Sequence, residues 1–174
     1  MNNSGKIVAV LGLTALTAGL GAATAHDNGR HGRKEIVRAE LVGFNETPLT
    51  LSTPASGTFW AEIDEDSGAI FFKLTYKDLT VSPPLFAHIH LGGKHTTGGV
   101  MAFLCGGSTK PACPPAPAEV TGSIMAADVI GPGAQGVTAG QFEKVLDAIR
   151  AGAAYANVHT TTYPSGEIRG QISR

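Results

Sequence analysis

The chain has 174 residues, a formal net charge of −1 and 16% charged residues. That length suits one domain with a sizeable core, and the near-neutral balance leaves no basic field to hold nucleic acid. Glycine is abundant at 23 residues, against two cysteines and six histidines, and with turn signals at short spacing this favours an all-β chain.

Residues 1–25 read as a signal peptide. Lys6 gives a positive start, residues 7–20 carry no charge, and Ala23-Thr24-Ala25 is a small-x-small cleavage site. The apolar run is too short and too rich in Gly, Thr and Ala to span a bilayer. An uncleaved anchor is the weaker alternative, and the mature chain is expected to begin at His26 with no transmembrane segment. Export implies a periplasmic or secreted protein. Cleavage leaves 149 residues and, by removing Lys6, takes the formal charge from −1 to −2. Residues 26–34 are polar and Gly-rich, a flexible arm. The alternative is that the terminal amine and imidazole of His26 chelate copper as a histidine brace, which needs an ordered terminus and a further histidine. The folded domain is expected over residues 35–174.

Alternation predicts a strand over residues 36–44, followed by a long loop over 45–56 with two prolines and several Thr and Ser. Residues 58–63 and 70–76 form a hairpin around Asp64-Glu65-Asp66-Ser67-Gly68, a turn composition that ends in Gly for good reason. Phe59, Trp60, Phe71 and Phe72 belong to the core or to a sheet face. Pro83-Pro84 interrupts, and residues 86–91 form the next strand. Residues 100–104 form another, which leads into a Gly/Pro-rich loop between Cys105 and Cys113. In an exported protein these two pair as a disulfide. Metal ligation by the cysteines is the alternative, and the absence of a CxxC pair counts against it. A further strand is expected over 119–125.

One helix is expected near residues 139–150. Thr138 and Gln141 have capping-box spacing, Phe142, Val145, Leu146 and Ile149 follow i, i+3, i+4, i+7, and Gly152 stops it. Such a helix covers one end of a sandwich. In the closing hairpin, Ala154, Ala156 and Val158 share one face, with Tyr155, Asn157, His159 and Thr161 on the other. A three-residue loop, Pro164-Ser165-Gly166, keeps apolar opposite apolar. That register pairs Val158 with Ile172, His159 with Gln171 and Thr161 with Arg169, and leaves Arg169 diagonal to His159. The chain then reads as all-β and mainly antiparallel, a Greek-key-like β-sandwich of about eight strands with one short helix.

The chemistry concentrates in His88-Ile89-His90 and in His159. Side chains two apart in a strand project to one face, so His88 and His90 point together. His159 sits on the like face of a second strand. Three converging imidazoles make a transition-metal site for copper, with zinc the alternative. His95, in the loop Gly92-Gly93-Lys94-His95-Thr96-Thr97-Gly98-Gly99, either folds back as a fourth ligand or stays exposed. Those glycines lack the strand–helix context of a phosphate loop, and no Ser-His-Asp or Cys-His nucleophile arrangement is present.

Three segments carry a resemblance to a known family. They are Leu41-Val42-Gly43-Phe44-Asn45-Glu46-Thr47-Pro48, Ala87-His88-Ile89-His90-Leu91-Gly92, and Tyr155-Ala156-Asn157-Val158-His159-Thr160 with Gly166-Glu167-Ile168-Arg169-Gly170-Gln171-Ile172. In this order they resemble the CHRD domain, named after chordin, across nearly all of the mature chain. The resemblance implies a β-sandwich. In animals the domain sits in chordin, an extracellular binder of growth factors, whereas single-domain bacterial members are exported and lack a clear role. A more distant likeness is to Cu/Zn superoxide dismutases, sandwiches with a His-x-His strand, a later His, and an Arg beside the copper.

These readings give two classes of function. In the first, copper bound by His88, His90 and His159 supports dismutation of superoxide, with Arg169 guiding the small anion. The alternative for Arg169 is a surface ion pair with Glu167 or another carboxylate. No aspartate-bearing zinc subsite is evident, so the site is mononuclear. Glu46 or Asn157 orients a histidine through its other ring nitrogen, or Glu46 anchors its loop and Asn157 satisfies strand backbone. In the second class the protein is a non-catalytic binding module or a periplasmic copper buffer, with the 45–56 loop and the Cys loop making contacts. A homodimer is left open.

Overall fold

Period-two burial sets the architecture. In β1 (Glu35–Val42), Val37, Ala39 and Leu41 are buried while Arg38 and Glu40 are exposed, the pattern of a strand with one face on a core. The same alternation recurs through β2 (Ser56–Asp64) and β3 (Ala69–Lys77), where Phe59, Ala61, Ile63, Ile70, Phe72 and Leu74 turn inward. The remaining strands and the α-helix are β4 (Phe86–Leu91), β5 (Val100–Gly106), β6 (Ala118–Ile124), α1 (Phe142–Arg150), β7 (Ala154–His159) and β8 (Ile168–Gln171). This computed structural model describes Met1 and residues 34–174. Residues 2–33, on which the expected signal peptide, arm and His26 fall, lie outside the described residues.

The eight strands form one antiparallel sheet in the order β5-β4-β7-β8-β1-β2-β3-β6. The sheet curls so that its end strands, β5 and β6, approach each other. Placing β6 beside β3 and β7 beside β4 gives the crossing connections of a Greek key. The all-β, mainly antiparallel expectation is therefore met, with eight strands in a single, nearly closed sheet. The β2–β3 turn forms as expected: Asp64 Oδ1 accepts the N–H groups of Asp66 and Ser67 at 3.1 and 3.2 Å, an Asx turn.

Two expectations need correction. The helix begins at Phe142, three residues later than expected. Half of the capping box is present, with Gln141 Oε1 accepting the Thr138 N–H at 2.8 Å. However, Gly140 adopts φ +84°, which no right-handed helix can include. The stop is as expected. Ala153 N–H reaches Ala148 O and Gly152 N–H reaches Ile149 O, with Gly152 at φ +66°, a Schellman motif. Phe142, Val145, Leu146 and Ile149 are buried. Arg150 binds Glu35 at the start of β1 and Glu65 in the β2–β3 turn, which places α1 over that end of the sheet.

The second correction is the register of the closing hairpin. Asn157 pairs with Arg169, Val158 with Ile168 and Tyr155 with Gln171, a shift of four residues from the Val158–Ile172 register. Apolar still faces apolar, because the shift is even. The loop is wider than Pro164-Ser165-Gly166 for a tertiary reason. Glu167, fully buried, accepts Thr160 Oγ1–H at 2.9 Å and both Thr80 N–H and Oγ1–H at 2.8 and 2.6 Å. These bonds hold residues 160–167 against the β3–β4 connection, so the loop cannot close tightly on itself.

Cys105 and Cys113 form the expected disulfide, with Cα atoms 5.0 Å apart. The chain just past the staple docks on β3, where Tyr76 O–H donates to Pro114 O at 2.6 Å. Cys105 lies opposite Ala87 in the β4–β5 ladder, so the staple fixes the end of the strand that supports β4. Replacing both cysteines by serine is expected to lower the unfolding free energy by roughly 2–3 kcal/mol in the chain-entropy account of a short loop, read from urea denaturation of the oxidised protein beside the variant.

Candidate metal centre

Strand geometry brings the three histidines together. β4 lies between β5 and β7, so it is an interior strand, buried on both faces. Ala87 and Ile89 point into the apolar core, and Phe86, His88 and His90 therefore share the opposite face. On β7, His159 pairs with Phe86, Asn157 with His88 and Tyr155 with His90. His159 is thus diagonal to His88, within side-chain reach. The β4–β5 ladder slips between Ala87 and His88 and again between Ile89 and His90, leaving Leu104 and Met101 as extra residues on β5. Such bulges re-aim side chains. Here Met101, Ala102, Leu104 and Cys105 all reach the core while Phe103 remains against His88, ring centroids 4.9 Å apart.

The three imidazoles are 4, 7 and 5% exposed for His88, His90 and His159. One nitrogen from each lies within 4.8 Å of the others. A metal bound at about 2.0–2.1 Å by three nitrogens spaces them roughly 3.3–3.6 Å apart, so the rings need only small adjustments. Hydrogen bonds assign the tautomers. His90 Nδ1 is 2.9 Å from Gly98 O and His159 Nδ1 is 3.0 Å from Pro164 O. A carbonyl only accepts, so both Nδ1 atoms carry the proton and both Nε2 atoms present lone pairs. His90 Nε2 accepts from His88 Nδ1 at 2.7 Å. His159 Nε2 is buried without a hydrogen-bond partner.

Burial depresses all three imidazoles, so they are neutral across the physiological range. His88 is pushed down to about 2 by desolvation, then by His159 and His90. His90 falls to about 4, chiefly by desolvation, with the Gly98 carbonyl opposing. His159 also falls to about 4, desolvation again leading and the Pro164 carbonyl opposing. Neutral imidazoles with fixed tautomers are the protonation state that a metal requires.

Aromatic rings wall the group. Phe86 lies 5.0 Å from both His88 and His159 by centroid, and Tyr155 stacks on His90 at 4.6 Å and 3°. The expected partners stand differently. Arg169 is 2% exposed and makes no ion pair among the described residues, and Glu167 is committed to Thr80 and Thr160. The Arg169 guanidinium lies 3.5 Å over the Tyr155 ring and donates to Gly93 O and Thr96 O at 2.8 Å each and to Thr47 Oγ1. The guanidinium therefore faces Tyr155 and loop oxygens and is turned away from bulk solvent. Glu46 Oε1 accepts Asn157 Nδ2–H at 2.6 Å, and the same nitrogen donates to Ile168 O at 2.9 Å. Glu46 and Asn157 thus tie the 43–55 loop to the β7–β8 hairpin, and backbone carbonyls, not these two, orient the rings. Burial pushes the Glu46 carboxyl up to about 7. His95 is exposed on its loop and stands outside the histidine group.

A family model for the CHRD domain matches residues 37–172. The chain belongs to the CHRD domain family. The match covers β2 to β8 and all of β1 but its first two residues, and includes all three histidines. No curated protein and no solved structure matches the chain.

Sequence reasoning missed the residues that hold the rings in place. Tyr155 shares the His159 face by simple alternation, so the signal was present. The carbonyls of Gly98 and Pro164 carry no signal, since every residue has one. Gly98 is nonetheless constrained: an added Cβ would sit 1.6 Å from Leu91 O. Gly98→Ala must displace the loop and withdraw the carbonyl from His90. Metal affinity is expected to fall about 10–100-fold, the usual cost of losing such an outer partner, read by competition with a chromophoric chelator.

The metal-free protein should also lose stability on acidification. Each folded-state histidine pKa lies below its unfolded value of 6.5. The unfolded state therefore binds more protons below 6.5, and stability falls as pH drops toward about 4. In His159→Gln this slope is expected to shrink by up to about 1.4 kcal/mol per pH unit, measured by chemical denaturation at pH 4.5, 5.5 and 6.5. An unchanged slope would mean that His159 is not buried neutral.

Proposed function

We propose that this CHRD-domain protein is exported and holds one copper ion through His88, His90 and His159. The observation that carries the reading is the buried Nε2 of His159, a lone pair with no hydrogen-bond partner that belongs to a cluster of neutral imidazoles. A buried acceptor left unpaired costs about 1–3 kcal/mol, and a bound cation removes that cost. The donor set also fits: imidazoles without thiolate suit copper or zinc, and affinity order favours copper.

His90 and His159 would bind through Nε2, each held by its carbonyl. His88 would bind through Nδ1, the nitrogen that faces His90, after its proton moves to Nε2. When bound, copper supplies one-electron chemistry, and the net reaction it would support is two superoxide ions and two protons giving dioxygen and hydrogen peroxide. Phe86, Phe103 and Tyr155 keep bulk water from the rings. With zinc in the same ligands the site would be structural, since zinc has no redox chemistry.

A second reading, metal holding without turnover, draws on the burial. No histidine of the three is more than 7% exposed, which narrows the approach of any substrate. A cleft of about 250 Å³ opens beside the site between residues 46–51 and 162–166, with Leu49 exposed. It gives a binding module or copper buffer a surface for contacts, including a second copy of the chain.

The test is copper loading of the protein, removal of loose metal, metal analysis and EPR, beside His88→Ala/His90→Ala and His159→Ala variants. One copper per chain with imidazole-nitrogen hyperfine structure is expected, lost in the double variant. Superoxide consumption that disappears with His159→Ala supports the enzyme. Retained copper without turnover supports the buffer, and no retained copper in the unmodified protein overturns the metal reading.

A further inference from the structure

We propose that Arg169 is a positioning residue, which fixes His90 through Tyr155 and the 92–99 loop, and is not a docking point for a substrate anion. The proposal rests on reading the three histidines as a metal site. Its geometry forms a closed circuit. The planar guanidinium covers one face of Tyr155 at 3.5 Å. Strand order β4-β7-β8 puts Tyr155 between Arg169 and His90, so His90 stacks on the other face, 4.6 Å away and nearly parallel.

The loop closes the circuit. Arg169 Nη2 donates to Gly93 O and Thr96 O, both at 2.8 Å. Further along, Gly98 N–H donates to Tyr155 Oη at 3.2 Å, and Gly98 O accepts His90 Nδ1–H at 2.9 Å. Gln171 Nε2–H adds a tie to Gly92 O at 3.0 Å. Arg169 thus holds both groups that fix His90: the ring that sets its plane and the loop whose carbonyl sets its tautomer. Both Nη2 hydrogens are used, and Nη1 serves Thr47 Oγ1. Three of the five guanidinium N–H donors are thus committed, and Arg169 at 2% exposure presents little surface to an incoming anion.

Geometry and charge make different demands, and this separates the two roles. Lysine keeps the charge but has no plane to stack and no fork to bridge two carbonyls. If Arg169 positions His90, Arg169→Lys fails as Arg169→Gln does. If Arg169 steers an anion, Arg169→Lys keeps most of the function.

Metal-free protein labelled with ¹⁵N-histidine reads the tautomer directly by NMR, and copper release to a chelator reads retention. The unmodified protein is expected to hold His90 as the Nδ1–H tautomer. Both Arg169 variants are expected to show mixed tautomers and copper release faster by about 10–100-fold. Tyr155→Leu, which removes the ring and keeps the arginine, is expected to do the same, and it carries the test if neither Arg169 variant folds. A single His90 tautomer and near-unmodified copper release in Arg169→Lys, or in Tyr155→Leu, would overturn the proposal. Because the tautomer is read without metal, a protein that retains no copper fails the metal reading while the positioning role is still decided.

Discussion

Three neutral imidazoles buried against one another are the constraint around which the outer face of this sheet is organised. A buried nitrogen needs a partner. His90 and His159 spend one nitrogen on a loop carbonyl and turn the other inward. The inward lone pairs outnumber the protons available to them, which leaves His159 Nε2 unmatched. A fold selected for stability alone has little reason to keep such an arrangement. A fold that holds a cation there does.

Covering that face takes three loops, each fastened by a polar contact. The 43–55 loop is tied by Glu46 to Asn157, the 92–99 loop by Arg169 and Gln171, and the 160–167 loop by Glu167 to Thr80 and Thr160. The opposite face of the same strands is apolar and needs no such contacts. One side of the sheet thus supplies the stability of a hydrophobic core. The other supplies a preorganised polar site, and β4 and β7 belong to both.

The consequence is a histidine cluster already in the state that holding a metal would require. Burial keeps the rings neutral, the carbonyls set which nitrogen faces inward, and the aromatic walls limit water. The same burial restricts access, so turnover and storage make opposite demands on the loops. The 92–99 loop lies at the centre of that balance, because its Gly98 carbonyl fixes His90 and its Gly93 and Thr96 carbonyls are held by Arg169.

The sequence by itself determined the strands, the hairpin turn at Asp64, the disulfide and the shared face of His88, His90 and His159, because these follow from period-two patterning, turn chemistry and cysteine count. It determined the family as well, through motifs spread along the chain. Only the tertiary structure decided the register of β7 on β8, because the buried Glu167 binds Thr80, a residue that no local pattern connects to the hairpin. Only the tertiary structure could exclude His95 and turn Arg169 from solvent toward Tyr155, since an arginine in a strand reads the same whether its guanidinium meets water or loop carbonyls. The helix start at Phe142 was likewise set by the φ of Gly140, a freedom that glycine permits and its sequence position does not reveal. What patterning cannot carry is the partner of each polar group, because backbone carbonyls are common to every residue and only the fold brings particular ones within hydrogen-bond reach.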